Sequence, residues 1–299
     1  MNIYAQINQN KIKSGLIVVL FFVLVSFLIY VLGRAMGYSG YSLFVFAFFI
    51  SFISSFFSYF FSDKIVLTMH RAIPANRTKH FDFYTVAENL ALAAGLPKPK
   101  LYVINDSSPN AFATGRDYNH AVVVCTTGLL EIMDRRELEG VVAHELSHIK
   151  NYDMLLMTVV SVMLGLVVYA TDFFMRSLWY RDSDRDNRNS SGLFFILAIV
   201  LAILAPIVAT LLQLAISRKR EFLADASAAY LTRYPQGLAG ALLKLQAFPQ
   251  KMQTATNATA HLFIASPLKA DLNTKSNWWV NLFSTHPPIS ERVAKLRQI

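Results

Sequence analysis

Cysteine and charged residues are the two things this sequence has little of. The single Cys125 excludes an internal disulfide and offers no thiolate cluster, so a bound metal would need histidine and carboxylate ligands. Only 16% of the 299 residues are charged, whereas 54% are hydrophobic. Soluble domains average about 25% charged residues, so this composition indicates a membrane protein.

Four uncharged runs are long enough to cross a bilayer, whose apolar core is about 30 Å thick. The first run, residues 14–33, is longer than the apolar region of a signal peptide, so we expect it to be retained. Residues 37–62 would cross back and complete a transmembrane hairpin. Residues 154–171 and 189–217 predict a second hairpin, joined by a short polar loop.

Basic residues concentrate at one side of this four-crossing arrangement. The cations near membrane ends on that side are Lys11, Lys13, Lys64, Arg71, Arg77, Lys79, Arg218, Lys219 and Arg220. The positive-inside rule therefore places both termini and the polar segments in the cytoplasm. Topology and contact with anionic lipid then explain the net charge of +9, and no nucleic-acid-binding motif is present.

The polar segment between the hairpins contains the motif His144-Glu-Leu-Ser-His148. Residues four apart share a helix face, so both histidines can bind one metal ion, and Glu145 can accept the proton of an attacking water. Asp134 and Glu137 predict the N-cap and capping box of this helix. The alternative is a surface helix with two solvated histidines, which the apolar and small neighbours of the motif disfavour.

A hydrolytic zinc site takes three protein ligands and keeps one position open. Glu221 and Asp225 are four residues apart in a helical stretch that directly follows the fourth uncharged run. Because a short loop joins the third and fourth runs, we expect them to be antiparallel neighbours. Glu221 would then lie at the same depth relative to the membrane as the end of the helix that carries the two histidines, called here the zinc helix. We therefore predict Glu221 as the third ligand and Asp225 as a support for a ligand histidine. Alternatively, Glu221 is exposed and paired with Arg218 or Arg220.

The zinc helix is expected to lie beside a small sheet. An amphipathic helix is predicted at residues 80–94, with strands at residues 100–104, 110–115 and 122–125. The strand at 110–115 is a candidate edge, which could hold an extended peptide by strand addition or be an ordinary structural edge.

The C-terminal region combines predicted helices with two apolar segments that suit either of two environments. A helix is predicted at residues 234–248, and the prolines at 287–288 are expected to begin a terminal helix. Residues 261–264 and 278–283 could belong to the core or enter the membrane interface, where Trp is favoured.

Taken together, several motifs resemble the HtpX family of bacterial membrane zinc endopeptidases. They are His144-Glu-Leu-Ser-His148, Ser217-Arg-Lys-Arg-Glu-Phe-Leu-Ala-Asp225, Ser108-Pro-Asn-Ala-Phe-Ala-Thr-Gly115 and Ser284-Thr-His-Pro-Pro288. The resemblance implies a gluzincin-type site with one Zn²⁺ per subunit, on the cytoplasmic side of the bacterial inner membrane. It also implies a role in stress response, through quality control of damaged or misassembled membrane proteins.

Residue by residue, the resemblance implies His144, His148 and Glu221 as zinc ligands and Glu145 as the catalytic base. It further implies that Asn110 contacts the backbone of the substrate. His286 could stabilise the developing oxyanion, which requires a positioned donor, or could have a structural role.

The expected fold is mainly α with a small β-sheet, in which four transmembrane helices accompany a cytoplasmic zincin-like metalloprotease domain. The expected divisions are an N-terminal arm and hairpin at 1–62, the first catalytic half with the zinc helix at 63–153, a second hairpin at 154–217 and the second catalytic half at 218–299. Expected partners are protein or peptide substrates, including membrane proteins, and the lipid bilayer, but no nucleic acid. The oligomeric state is left open.

Two other classes of protein remain open at this stage. One is a processing enzyme for prenylated peptides. Two features disfavour this class: the chain has four crossings, and it has no evident large intramembrane chamber. The other is a scaffold or transporter with structural zinc. Transporters usually carry ionisable residues within their crossings, and structural zinc sites are closed by a fourth protein ligand. The sequence shows neither feature.

Overall fold

Two long apolar helices begin the fold in a computed structural model of the chain. The structure describes residues 3–35, 38, 40–165, 218–248, 251–256, 258–267 and 287–299. Helix α1 (Ile3–Ala35) contains the candidate membrane span Ile7–Val31, and helix α2 (Tyr41–Phe60) is a candidate span over its whole length. The polar N-terminal residues are therefore mostly helical, because no helix breaker separates them from the apolar run.

The two candidate spans form an antiparallel hairpin. Phe22 of α1 contacts Phe48 of α2 edge to face at 5.3 Å, and Gly33 packs against Leu43 nearer the connecting turn. Both helices expose apolar side chains on their outer faces, as expected for contact with lipid. The predicted first hairpin is confirmed. Of the predicted second hairpin, residues 166–217 lie outside the described residues.

The other described α-helices build the domain that carries the histidine motif. They are α3 (Ser62–Met69), α4 (Phe81–Ala94), α5 (Thr127–Ile132), α6 (Arg135–Lys150), α7 (Asp153–Gly165), α8 (Arg218–Thr232), α9 (Pro235–Ala247) and α10 (Ile289–Leu296). The helices predicted from residues 80, 234 and 287 correspond to α4, α9 and α10. Helix α5 was not predicted, although Thr126 caps it by accepting a hydrogen bond from Leu129 N at 3.2 Å.

Helix α6 is central to this domain and carries the histidine motif. Its N-terminus has the predicted capping box, in which Asp134 accepts from Glu137 N and Glu137 accepts from Asp134 N, each at 2.9 Å. A Cβ atom at Gly140 would lie 2.5 Å from Leu238 N, so this glycine lets α9 approach α6 closely. His144 and His148 follow on the same helix and are both buried.

A four-stranded mixed sheet lies beside α6. In spatial order its strands are β1 (Ile73–Pro74), β2 (Lys100–Ile104), β4 (Val122–Thr126) and β3 (Ala111–Thr114). Strands β2 and β4 are parallel, whereas β1 pairs with β2, and β3 with β4, in antiparallel fashion. The predicted small sheet and the edge position of β3 are confirmed. The two-residue strand β1 is too short to show a sequence signal.

Helix α7 shows where the third uncharged run begins. It follows α6 after a tight turn at Asn151 and Tyr152, and its residues through Leu164 are buried inside the protein. Part of α7 packs against Ile17 and Phe21 of α1. Because Ile17 and Phe21 belong to a candidate membrane span, this packing fits a helix inside a membrane bundle, and the predicted third crossing stays a prediction.

The segment at residues 258–267 packs along the outer edge of β3. Ile264 N donates to Ala111 O at 2.9 Å, and all four residues from His261 to Ile264 are buried. Of the two environments considered for residues 261–264, the structure therefore shows the core. Residues 278–283 lie outside the described residues.

Candidate metal centre

Three buried side chains converge between α6 and α8. The Nε2 atoms of His144 and His148 are 3.2 Å apart. Oε1 of Glu221 lies 3.5 Å from His148 Nε2, and Oε2 of Glu221 lies 3.7 Å from His144 Nε2. The sequence-predicted ligands are thus brought together, although 73 residues separate His148 from Glu221.

The spacing and chemistry of these three groups fit zinc. Ligand atoms at about 2.0–2.2 Å from one tetrahedral zinc are about 3.3–3.5 Å apart, close to the separations observed here. Two imidazole nitrogens and one carboxylate are the ligand set of hydrolytic zinc sites that keep a fourth position open. Glu145 Oε1 is a buried acceptor with no hydrogen-bond partner among the described residues, as expected of a group that faces such an open position.

His144 is oriented from behind by Asp225 and Arg292. His144 Nδ1 lies 3.0 Å from Asp225 Oδ1. Arg292 in turn donates to both oxygens of Asp225, from Nε at 2.8 Å and from Nη2 at 2.7 Å. With Nδ1 facing Asp225, the Nε2 atom of His144 faces the metal position. Asp225 therefore lies where the sequence predicted a support for a ligand histidine.

His148 is oriented by Asp153, the first residue of α7. His148 Nδ1 lies 3.2 Å from Asp153 Oδ2. Asn10 of α1 donates from Nδ2 to Asp153 Oδ1 at 2.8 Å and to Asn151 O at 2.9 Å, while Arg220 Nη1 is 3.4 Å from Asp153 Oδ1. The first candidate span thus helps to hold a ligand histidine.

Sequence reasoning missed Asn10, Asp153 and Arg292 as parts of this site. Asp153 carried a signal, because it is an isolated charge between the zinc helix and an apolar run. Arg292 is 0% exposed, and its Nη1 donates to Ile264 O at 3.0 Å. Arg292 belongs to a short polar helix near the C-terminus, and this sequence context is typical of an exposed residue. Only the tertiary structure shows that it is buried behind Asp225.

Burial and the neighbouring carboxylates have opposite effects on the two ligand histidines. Burial lowers the pKa of His144 to about 4, although the hydrogen bond with Asp225 raises it. Burial also lowers the pKa of His148, but the Asp153 hydrogen bond and the Glu221 charge outweigh it and raise that pKa to about 9. For Asp225, the hydrogen bond and charge of Arg292 outweigh burial and lower the pKa to about 2. The direction of the His148 shift therefore favours the protonated form of this histidine in the metal-free site.

Zinc affinity should therefore depend on pH. Below about pH 9 zinc must displace the proton on His148. The apparent dissociation constant for zinc should therefore fall about tenfold for each unit by which the pH rises, between about pH 7 and 9. Competition with a chromogenic zinc chelator across this range measures the slope. Asp153→Asn removes a carboxylate that raises this pKa and should flatten the dependence. An equal slope in both proteins would contradict the role given to Asp153.

Arg292→Lys tests the support behind His144. Lysine keeps the charge but cannot form the two-pronged contact with Asp225. We expect zinc affinity to fall about 10-fold or more, as for other residues that orient metal ligands, with a lower unfolding temperature. Arg297→Lys is the matched control, since Arg297 lies exposed at the end of the same helix. Equal zinc affinity in both variants would show that Arg292 does not position the ligand.

Glu145 lies next to the first ligand and is 1% exposed. Burial raises the pKa of its carboxyl to about 7, against the lowering effects of the His148 charge and of a hydrogen bond with the Ala113 backbone. A carboxylate with a pKa near neutrality can take up and release a proton within one reaction cycle. Its contact with Ala113 also places the group beside the edge strand β3.

Asn110 immediately precedes β3 and is buried, and its side-chain amide is hydrogen-bonded to the segment along the sheet edge. Its Nδ2 donates to Ala265 O at 2.9 Å, and its Oδ1 accepts from Ala265 N at 3.3 Å and from Ala111 N at 3.1 Å. The residue thus ties this segment to β3, and its contact with substrate stays a prediction. His286 lies outside the described residues.

Comparison with known proteins agrees with this geometry. The model of Peptidase family M48 matches residues 79–299. A protease HtpX homolog of Caldanaerobacter subterraneus subsp. tengcongensis is 48% identical over 80% of this chain and 78% of its own length. Another, from Dictyoglomus thermophilum, is 44% identical over 99% of this chain and 94% of its own.

Among solved structures, the crystal structure of S. mikatae Ste24p shares the fold. It matches with a TM-score of 0.51 at 18% identity, over 98% of this chain and 67% of that one. The family match covers most of the chain, the HtpX relatives align over most of their length, and the predicted zinc ligands meet at one point. This chain therefore belongs to peptidase family M48 and is a membrane zinc metalloendopeptidase of the HtpX type.

Proposed function

We propose that this chain hydrolyses peptide bonds of damaged or misfolded proteins, membrane proteins among them, as part of quality control and the stress response. The observation that carries the proposal is the position of Glu145. This buried carboxylate lies beside the His144, His148 and Glu221 triad and in contact with an edge strand. Such an arrangement can hold an extended peptide next to a general base.

Each side chain of the site has a separate task. When bound, zinc supplies Lewis-acid chemistry that polarises the scissile carbonyl and acidifies water at its open position. Glu145 accepts the proton of the attacking water and passes it to the leaving amine, which a pKa near 7 permits. Asp225 and Asp153 keep His144 and His148 in the tautomer that presents Nε2 to the metal.

Strand β3 is the proposed docking edge for the substrate backbone. At Ala111 this edge is covered by the chain itself, since Ile264 N donates to Ala111 O. The position proposed for the substrate therefore lies farther along, at Ala113, where the strand contacts Glu145. Ala113 is itself buried, so the substrate would have to open the edge of the sheet there. The proposed contact between Asn110 and the substrate would compete with the hydrogen bond that the Asn110 side-chain amide donates to Ala265 O. The role proposed for His286 is a donor to the oxyanion.

The proposed orientation places both termini and the metal centre in the cytoplasm, in the inner membrane of a bacterium. The start of α1 and the end of α2 lie on one side of the membrane, and Lys11, Lys13 and Lys64 lie near these ends, as the positive-inside rule favours. The four divisions at residues 1–62, 63–153, 154–217 and 218–299 belong to the same proposal.

Digestion of an unfolded protein tests the proposed activity. Detergent-purified chain with one equivalent of zinc should cleave casein into fragments that are visible on a gel. A chelator should stop the cleavage, and added zinc should restore it. If the zinc-loaded chain leaves casein intact, general proteolysis is excluded, and a narrow processing enzyme or a structural zinc site becomes the better description.

A further inference from the structure

A cavity of about 660 Å³ lies where the two candidate spans meet the catalytic domain. One wall is formed by α1, one by the end of α2, and the third by the β3–β4 connection with the start of α7. The lining residues that matter for the argument are Lys11, Gly15 and Val18 of α1, Phe60 of α2, and Arg116 and Tyr152 of the catalytic domain.

The cavity lies at the level of the membrane surface, whichever side of the membrane that is. The span in α1 begins at Ile7 and the span in α2 ends at Phe60, and these ends of an antiparallel hairpin lie on the same side. Lys11 is about 6 Å along the helix from Ile7, and Val18 is about 10 Å deeper, at 1.5 Å per residue. The lining therefore changes from cationic near the surface to apolar at depth.

Two cations stand at the shallow end of the cavity. Lys11 Nζ lies 4.2 Å above the ring of Tyr152. Arg116 Nη1 donates to Phe60 O at 2.7 Å, which fixes the guanidinium at the end of α2. Arg116 also contacts His120 through Nη2 at 2.8 Å and Asp117 through Nε at 3.3 Å. These contacts occupy three of its five N–H groups, so two can still serve a ligand.

Asp117, the one acidic residue among the described lining residues, has its charge offset. Asp117 accepts hydrogen bonds from the backbone N–H groups of Asn119 and His120, at 2.9 and 3.0 Å, and lies 2.7 Å from His120 Nδ1. Together with the contact from Arg116, these interactions direct the carboxylate into its own turn. The shallow end therefore has a net preference for an anion.

We propose that this cavity binds one anionic phospholipid, with its phosphate between Lys11 and Arg116 and an acyl chain beside Val18 and Leu155. Cations at headgroup depth above an apolar wall match the order of groups along such a lipid. Gly15 leaves room at the middle of the cavity, since a Cβ atom there would meet nothing within 4 Å. The proposal concerns binding alone and does not depend on the proteolytic activity.

Native mass spectrometry of the zinc-loaded full chain, with titrated lipid, tests the proposal. Phosphatidylglycerol should bind at one site more tightly than phosphatidylcholine. Lys11→Gln should weaken phosphatidylglycerol binding about fivefold, the value expected for one cation near a membrane surface. Lys13→Gln is the matched control and should change nothing, because residue 13 lies on another face of α1.

Gly15→Leu provides an independent test, because it fills the cavity with a side chain that helices favour over glycine. It should abolish the tight site without lowering the unfolding temperature. Unchanged phosphatidylglycerol binding in Gly15→Leu and Lys11→Gln would overturn the proposal, as would equal binding of phosphatidylcholine. Displacement of the lipid by millimolar inorganic phosphate would also overturn it, because the ligand would then be a soluble phosphate rather than a lipid.

Discussion

Glu145→Gln is expected to lower the rate of peptide cleavage by about 10²- to 10⁴-fold, the usual contribution of a general base. Glutamine keeps the shape of the side chain but cannot accept the proton of the attacking water. The variant should still bind one zinc per chain, because the ligands His144, His148 and Glu221 are untouched. Casein cleavage rates and zinc content by atomic absorption, measured on the same preparation, check both parts.

A matched control separates the loss of the base from the loss of a charge on α6. Glu139 lies on the same helix and pairs with Arg135 and Arg136 at the surface, away from the metal centre. Glu139→Gln should leave both activity and zinc content unchanged. If Glu145→Gln retained cleavage within a few-fold of the wild-type rate, another group would have to act as the base.

Glu221→Ala is expected to lose the metal itself. Removing a residue that merely orients a ligand weakens metal binding by about 10- to 100-fold, so removing a ligand should cost more than about 100-fold in zinc affinity. Activity should fall with zinc occupancy and should not return at zinc concentrations that saturate the wild-type chain. Chelator competition gives the affinity, and the circular dichroism spectrum shows whether the variant remains folded.

Glu291→Gln is the control for this loss of a carboxylate. Glu291 is exposed on α10 and pairs with Lys295 at 3.4 Å, so its charge should not affect the centre. Zinc at full stoichiometry and wild-type affinity in Glu221→Ala would remove Glu221 from the ligand set. In that case the third ligand would have to come from another part of the chain.

Much of the metal centre could be predicted because its main signals are local. The spacing of His144 and His148 sets their common helix face, and Asp134 with Glu137 marks where that helix begins. The prediction of Glu221 required one further step. A short loop between the third and fourth apolar runs was expected to bring the chain back to the side and depth of the membrane at which His148 lies. That step depended on topology rather than on any contact visible in the sequence.

The supports of the two histidines could not be predicted, because they come from distant parts of the chain. Asn10 is 143 residues from Asp153, and Arg292 is 67 residues from Asp225. A polar residue near a terminus usually reads as solvent-exposed, and nothing in its local sequence shows that folding will bury it. Contacts of this kind follow only from the packing of whole helices.

Hydropathy was similarly ambiguous for the third uncharged run. Its first residues, in α7, are buried against α1 and the sheet rather than exposed to lipid. An apolar side chain gains from leaving water in either environment, so composition alone does not separate the two. The isolated Asp153 marks the point where the polar segment of the histidine motif ends and the apolar run begins. Its carboxylate contacts His148 and is therefore held inside the protein.

The positions of Glu221 and Arg292 along the chain also bear on when the protease can become active during its own synthesis. The histidines are translated well before Glu221 and Arg292, and at about 5–20 residues per second the ribosome needs roughly 7 to 30 s to proceed from His148 to Arg292. Throughout this interval the nascent chain lacks a metal ligand or its support. A partly made chain is therefore expected to bind zinc weakly, and full activity is expected only after Glu221 and Arg292 have both been made.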